Sequence, residues 1–252
     1  MKKLIIGDKI VKSFEMNGKK QVVLNQVSVY IEQGEYVSVM GPSGSGKSTL
    51  LYALSGMDDI ENGQILFDGK ELLKMKEKAL ADLRRTQMGF VFQQPHLLKN
   101  LNLIDNIILP SMNHQKQTRE TLVKKARALM KETGIEALEG RGTSEVSGGQ
   151  LQRAGICRAL MNHPKIIFGD EPTGALNSRA SQEVMDLFSK INKKGTTIML
   201  VTHDAKVAAQ SERIMFMKDG KIVDELYLKK YEGIGIEERI KKVMESMQLL
   251  NI

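Results

Sequence analysis

The sequence predicts an α/β fold, and three observations carry that prediction. Val27, Val29 and Ile31 alternate with polar residues, and Tyr36, Val37 and Val39 then run into a glycine-rich loop that continues as a helical pattern from Thr49 to Leu54. Alternation at period two marks strands, and an apolar run, a glycine loop and a helical run in succession mark a strand–loop–helix unit. The last third returns to short apolar runs at Lys165 to Phe168 and Thr196 to Val201, whose continuous apolar character suits buried parallel strands.

The remaining elements follow in order. Gln33-Gly34 punctuates the first strands, and the helix after the loop ends at Gly56. Gln64 to Phe67 has strand character, and Asp68-Gly69 is a hairpin turn. From about Lys70 to Arg85, and again from about Thr118 to Glu132, the chain is helical and heavily charged. Leu122, Ala126, Leu129 and Met130 fall near the helical period while Lys124, Lys125 and Lys131 lie off it. Phe90 to Pro110 lies between with irregular apolar content, so the middle is expected to be a helical insert in an α/β core. Ser181 to Ile191 is a helix, and Arg213 to Met217 is a strand closed by Asp219-Gly220. Ile236, Ile240, Val243, Met244, Met247 and Leu250 recur at helical spacing, which predicts an amphipathic terminal helix.

Composition narrows the classes. Among 252 residues, 41% are hydrophobic and 27% charged, values that exclude disordered and collagen-like chains. No apolar run approaches the roughly 20 residues of a membrane helix. The opening MKKLIIGDKIVK meets Asp8 too early for a secretory core of about 7–15 residues. One cysteine, Cys157, fits a reducing compartment and a small packed residue better than a nucleophile. His96, His114, His163 and His203 show no metal-ligand spacing. The net charge of +7 is compatible with nucleic acid, an acidic membrane surface or phosphorylated ligands. The absence of tryptophan weighs against a binder that stacks single-stranded bases.

The strongest signal is Gly41-Pro42-Ser43-Gly44-Ser45-Gly46-Lys47-Ser48-Thr49, a G-x-x-x-x-G-K-[ST] loop between a strand and a helix. Glycines let the backbone wrap phosphates and aim its N–H groups inward. Lys47 supplies a flexible cation for the β- and γ-phosphates, and Ser48 a hydroxyl for Mg²⁺. The following helix adds the positive end of its dipole. A second piece, Ile166-Ile167-Phe168-Gly169-Asp170-Glu171, is expected to deliver Asp170 to the metal, directly or through water, and to set Glu171 to polarise an attacking water, with a solvated strand-end cap as the alternative. Phosphoryl transfer needs chiefly positioning and charge stabilisation, and these residues supply both.

At Val146-Ser147-Gly148-Gly149-Gln150-Leu151-Gln152-Arg153 the chain resembles the signature motif of the ATP-binding-cassette ATPases. Val146 stands where that family usually has leucine. The resemblance covers about residues 4–222. It implies a P-loop NTPase fold of the cassette type, with a helical subdomain and an N-terminal antiparallel β subdomain. It implies a cassette over 1–225, a helical subdomain at about 94–160 and a C-terminal helical extension at 226–252. Within Gly89-Phe90-Val91-Phe92-Gln93-Gln94, it assigns Gln93, rather than Gln94, to the metal and to reporting occupancy. It assigns His203 to the γ-phosphate and to the water shared with Glu171, and Phe14 to adenine stacking, with a core role for Phe14 as the alternative. Ser147, Gly148, Gly149 and Gln150 would bind the ATP held by a second copy.

The phosphate loop, Gly-Phe-Val-Phe-Gln-Gln and Asp-Glu-Pro-Thr-Gly-Ala-Leu are similar to one branch of that family. It serves lipoprotein-release, macrolide-export, cell-division and antimicrobial-peptide-resistance transporters, and Leu97 to Ile107 is most similar to the last group. The resemblance implies a homodimer around two Mg²⁺-ATP, a permease on a separate chain, and a place at the cytoplasmic face of the cell membrane. It implies no nucleic-acid partner. A soluble cassette ATPase outside transport is the alternative; its chromosome-maintenance type would need a far longer stretch between Lys47 and Ser147. The segment Leu97 to Pro110 is either subdomain core or in part a permease contact, and the terminal helix packs on its own domain or on a partner. One departure stands out: Asn177 follows Gly174-Ala175-Leu176 where the family usually has aspartate. The loss of that charge puts coupling between two nucleotide sites in doubt.

Overall fold

The computed structural model describes residues 2–16, 18–112 and 117–252. His114 lies outside these residues. Two sheets organise the chain. The first is antiparallel, in the order β2-β1-β4-β5, built from β1 (Lys3–Met16), β2 (Lys19–Glu32), β4 (Asn62–Phe67) and the short β5 (Lys70–Glu71). The second has six strands in the order β10-β9-β3-β8-β7-β6. Its parallel members are β3 (Tyr36–Met40), β6 (Met88–Phe92), β7 (Ile166–Asp170), β8 (Thr197–Thr202) and β9 (Arg213–Lys218), with β10 (Lys221–Tyr227) antiparallel at the edge.

The continuous apolar runs explain the layering. Met199 and Val201 of β8 join the core that holds α1 (Lys47–Leu54) between the two sheets, while Ile198 and Leu200 point to the opposite face and pack on α6 (Ser178–Lys193). A strand buried on both faces has no use for polar alternation. β1 and β2 are each 14 residues long, and register shifts interrupt their pairing. Bulges of this kind bend a long ribbon and increase its twist.

The helical insert is smaller than its charge pattern predicts. Lys70 to Arg85 is not one helix: β5 and a 3₁₀ turn at Leu72–Lys74 come first, and only α2 (Glu77–Gln87) is α-helical. Leu72 and Leu83 pack into the inter-sheet core, so α2 belongs to the α/β body. Phe90 to Pro110 opens with the end of β6 and closes on α3 (Leu103–Ile108). A separate apolar core is formed by α3, α4 (Arg119–Glu132) and α5 (Gly148–Leu160), with Ile107, Ala126, Met130 and Cys157 fully buried. Burial pushes the Cys157 thiol up to about 12, which suits a packed, unreactive residue.

After β8, the short α7 (Ala205–Ala208) leads to β9, and α8 (Ile236–Leu250) closes the chain. Val243 is fully buried against Met40, Ala208, Ile214 and Phe216, with Ile236, Ile240, Met247 and Leu250 flanking it. Met244, expected on this stripe, is 58% exposed instead. Arg239 fixes the helix by donating to the carbonyls of Ala209, Ser211 and Lys229. Among the described residues, no helix is long and apolar enough to cross a membrane.

Candidate functional site

Four loops leave one edge of the parallel sheet at the same level. The register pairs Met40 with Thr202, Val201 with Asp170, and Asp170 with Phe92. Gly41, His203, Glu171 and Gln93 are the next residues in each strand, so residues far apart in sequence emerge along one rim. The carboxyl ends of parallel strands are where open α/β sheets bind ligands, because loops and helix N-termini converge there.

The phosphate loop needs its glycines for two different reasons. A Cβ on Gly41 would lie 2.0 Å from the Met217 carbonyl oxygen, so the backbone passes too close for any side chain. Gly46 has φ +102 and would place a Cβ 2.7 Å from the Val23 carbonyl oxygen, combining a left-handed backbone with a tight approach. Ser43 and Gly44 form the exposed crown, and Thr49 lies half-buried on α1. The Ser45 hydroxyl is buried with no hydrogen-bond partner among the described residues. A buried polar atom without a partner is costly, so the loop interior leaves this hydroxyl available to a ligand.

Lys47 is buried, and its Nζ donates to the carbonyls of Gly41 and Pro42 at 2.8 Å each. Burial lowers its pKa, and the nearby Glu171 and Asp170 carboxylates push back against that shift. The ammonium thus rests on its own loop, within the field of two acids that favour its charged form.

The second strand end supplies the acids. Ser48 Oγ donates to Oδ1 of Asp170 at 2.8 Å. Tyr52, one turn further along α1, donates its hydroxyl to Oδ2 at 2.7 Å. Glu171 adopts φ +46, a left-handed conformation that costs a non-glycine residue about 1 kcal/mol or more. Its backbone N–H donates to Val201 O at 2.9 Å, and Thr202 Oγ1 donates to its Oε2 at 3.2 Å. His203 Nδ1 lies 2.8 Å from Oε1, with the imidazole 72% exposed. The carboxylate is held by two side chains from β8 and its end.

The other predicted residues lie apart from this cluster. Gln93 is exposed, and its side chain packs on Gly174, where an added Cβ would come within 2.9 Å of Nε2. It makes no hydrogen bond to Asp170 among the described contacts. Phe14 stands 40% exposed on β1, with the Lys12 ammonium 5.1 Å from its ring centroid. That exposure disfavours the core alternative. Ser147 caps α5: its Oγ accepts from Gln150 N at 3.4 Å while Gln150 Oε1 accepts from Ser147 N at 2.8 Å. Ser147 and Gly148 are exposed at the helix start, and Gly149 packs against Ala180. No hydrogen bond among the described residues ties Ser147, Gly148, Gly149 or Gln150 to the phosphate loop of the same chain. Asn177 caps α6 through a 2.9 Å bond from Ala180 N to its Oδ1.

Two residues at the site are given no role by the sequence: Tyr52 lies outside every motif, and Gln152 lies within the signature stretch without a function of its own. The only sequence clue to Tyr52 is its position four residues after Ser48 on the same helical face. Gln152 is buried on α5, and its Nε2 donates to Phe92 O at 2.9 Å and Pro172 O at 2.7 Å. It clasps the ends of β6 and β7 just beside Gln93 and Glu171. A polar residue four positions before Ile156, on the apolar stripe of α5, is the clue.

The sequence profile of the family described as ABC transporter matches residues 24–174. The chain is 42% identical over 217 residues to the bacitracin export ATP-binding protein BceA of Halalkalibacterium halodurans, covering 86% of this chain and 85% of BceA. It is 42% identical over 204 residues to the lipoprotein-releasing system ATP-binding protein LolD of Aquifex aeolicus, covering 81% and 91%. The fold matches the dimeric post-hydrolysis structure of the ATP-binding cassette MJ0796 bound to ADP and Pi. The TM-score is 0.84 at 35% identity, covering 90% of this chain and all of that one.

Proposed function

Because the chain belongs to the ABC transporter family, as a unit that binds and hydrolyses ATP, we propose that it dimerises around two ATP molecules to drive a separate membrane permease. Its work in this reading is export of, or resistance to, peptide antibiotics, by transport or by force transmission. The observation that carries the proposal is the rim itself. Lys47 at the start of α1 lies beside Asp170, Glu171 and His203 at the ends of β7 and β8, and the signature start at Ser147 is exposed, with no hydrogen bond among the described residues to the phosphate loop of its own chain.

In this mechanism the loop N–H groups from Ser43 to Thr49 and the start of α1 hold the phosphates. Lys47 exchanges its two loop carbonyls for phosphate oxygens. The Ser48 hydroxyl and the Asp170 carboxylate are hard oxygen donors of the kind Mg²⁺ prefers and would hold it, and Gln93 would join them. A divalent cation held by these residues would supply neutralisation of charge on the transferred phosphoryl group. Glu171 takes the proton of the attacking water, and His203 fixes the direction of that carboxylate and reaches toward the γ-phosphate. Phe14, polarised by Lys12 on one side, offers its ring for stacking with adenine.

Ser147, Gly148 and Gly149 of a second copy close over the γ-phosphate. Small residues at a helix start allow backbone N–H groups to approach it, and Gln150 keeps that start in shape through the capping box. Moving a two-state dimer from 1:99 to 99:1 needs about 5.5 kcal/mol of differential binding, a value within reach of two sandwiched nucleotides. Asn177 keeps the α6 cap but not the charge expected there.

In this reading the permease docks in a groove of about 310 Å³ between α2, β6 and α5, lined by Met57, Arg84, Phe90, Phe92 and Arg158. It adjoins Gln93, so occupancy of the nucleotide site and the state of the permease can be read by one strand end. This docking places the chain at the cytoplasmic face of the cell membrane. The test is to purify the chain with the integral membrane protein encoded beside it and measure ATP turnover in proteoliposomes. Stimulation by a cyclic peptide antibiotic is expected. Stimulation by a lipoprotein alone would assign the chain to lipoprotein release instead.

A further inference from the structure

Asp170 is held on both oxygens by one helix. Ser48 and Tyr52 lie four residues apart on α1 and so share a face. Ser48 Oγ takes Oδ1 at 2.8 Å, and the Tyr52 hydroxyl takes Oδ2 at 2.7 Å. The backbone at Asp170 is fixed by pairing with both β6 and β8. The phenol is fixed as well: Tyr52 is partly buried against the inter-sheet core, and its carbonyl accepts from Met57 N at 2.9 Å, Asp58 N at 3.2 Å and Ser55 Oγ at 3.0 Å.

This arrangement leaves the two carboxylate oxygens unequal. Oδ1 faces Ser48, the other oxygen donor at the end of the phosphate loop. Oδ2 faces the Tyr52 phenol, which donates to it at 2.7 Å. A cation that replaces the Ser48 contact therefore meets a carboxylate with one oxygen already engaged. Mg²⁺ binds carboxylates through single oxygens in near-ideal octahedra, whereas the larger Ca²⁺ accepts two oxygens of one carboxylate.

We propose that Tyr52 is a positioning residue that restricts Asp170 to coordination through Oδ1, and so sets both the affinity of the site for small divalent cations and its discrimination against Ca²⁺. The proposal rests on the reading of Asp170 as a metal ligand. Outer-shell partners of metal ligands contribute about 10–100-fold in metal affinity, and a hydroxyl fixed by a rigid helix is such a partner.

The test uses Mn²⁺ with ADP on the full chain, with bound Mn²⁺ read by electron paramagnetic resonance and competed by Mg²⁺ or Ca²⁺. Three proteins are compared: the unaltered chain, Tyr52→Phe and Asp170→Asn. Phenylalanine removes one oxygen and keeps the ring, so metal-free nucleotide binding and thermal midpoint are expected to hold. Tyr52→Phe should weaken Mn²⁺ binding about tenfold and make Ca²⁺ a better competitor relative to Mg²⁺. If Asp170→Asn weakens Mn²⁺ while Tyr52→Phe changes neither affinity nor the Ca²⁺/Mg²⁺ ratio, the role of Tyr52 is overturned and the metal site stands. If Asp170→Asn leaves Mn²⁺ binding intact, the metal reading itself is wrong.

Discussion

His203 Nδ1 lies 2.8 Å from Oε1 of Glu171, and the two side chains come from strands that are direct neighbours in the parallel sheet. The pair is assembled by register: Asp170 is level with Val201, so the residue after one and the second residue after the other meet above the sheet edge. Glu171 is kept in a left-handed backbone by the bond from its N–H to Val201 O, which also comes from β8.

A histidine that orients a general base acts on the chemical step more than on binding. His203→Ala should lower ATP turnover by about 10²-fold and leave nucleotide affinity within about threefold. Steady-state ATPase assays alongside titration with a fluorescent nucleotide separate the two quantities. A loss confined to KM would assign His203 to binding.

Lys47 is the cation nearest the phosphates. Lys47→Ala removes the ammonium whose present partners are Gly41 O and Pro42 O, and nucleotide binding should fall below detection at micromolar protein. Isothermal titration with ATP checks this. Undiminished affinity would contradict the phosphate-loop assignment.

Gln152 joins three segments through one amide. Gln152→Leu leaves the Phe92 and Pro172 carbonyls without their donor, which should cost about 2 kcal/mol of stability. Urea unfolding measures that loss. Turnover in the folded variant should also fall, because both carbonyls sit beside site residues.

Asp68 gives a pH-dependent test. Its hydrogen bonds with Lys165 and Lys2 hold its carboxyl down at about 2, against an ordinary value near 3.9. A depressed carboxylate contributes stability that is present in full above the unfolded pKa and is lost as pH falls through the folded one. Asp68→Asn should therefore destabilise by about 1 kcal/mol at pH 6, after allowance for solvent screening, and by only a small fraction of that at pH 2, where the folded carboxyl is half ionised. Raising the salt at pH 6 should shrink the gap, which thermal melts at two ionic strengths would show.

Much of the fold was legible because its signals are local. β3, β7 and β8 announce themselves as apolar runs buried on both faces, and α8 spans Ile236–Leu250, the residues its spacing predicts. β6 was hidden because five residues, one of them Gly89, are too few to show a period. β10 was hidden because an edge strand with alternating exposure carries polar residues such as Lys221, Asp224 and Glu225. The charge pattern from Lys70 to Arg85 suggested one helix where a hairpin end, a 3₁₀ turn and α2 share the segment. At the site, the motif residues were legible as types at fixed spacing. The roles of Tyr52 and of Gln152, which lies within the signature stretch, were not, since their partners lie 118 residues away in the first case and 60 and 20 in the second. Only the register of β6, β7 and β8 brings those atoms together.

The central claim is that ATP binds two copies together and that Glu171 is what ends that state. Glu171→Gln keeps the shape of the side chain and removes its basicity. Light scattering coupled to gel filtration, run with and without ATP, measures it most directly. The variant should elute as a monomer without nucleotide and as a dimer of about twice 28.2 kDa with ATP, with turnover reduced to background. A monomer at saturating ATP would contradict the account.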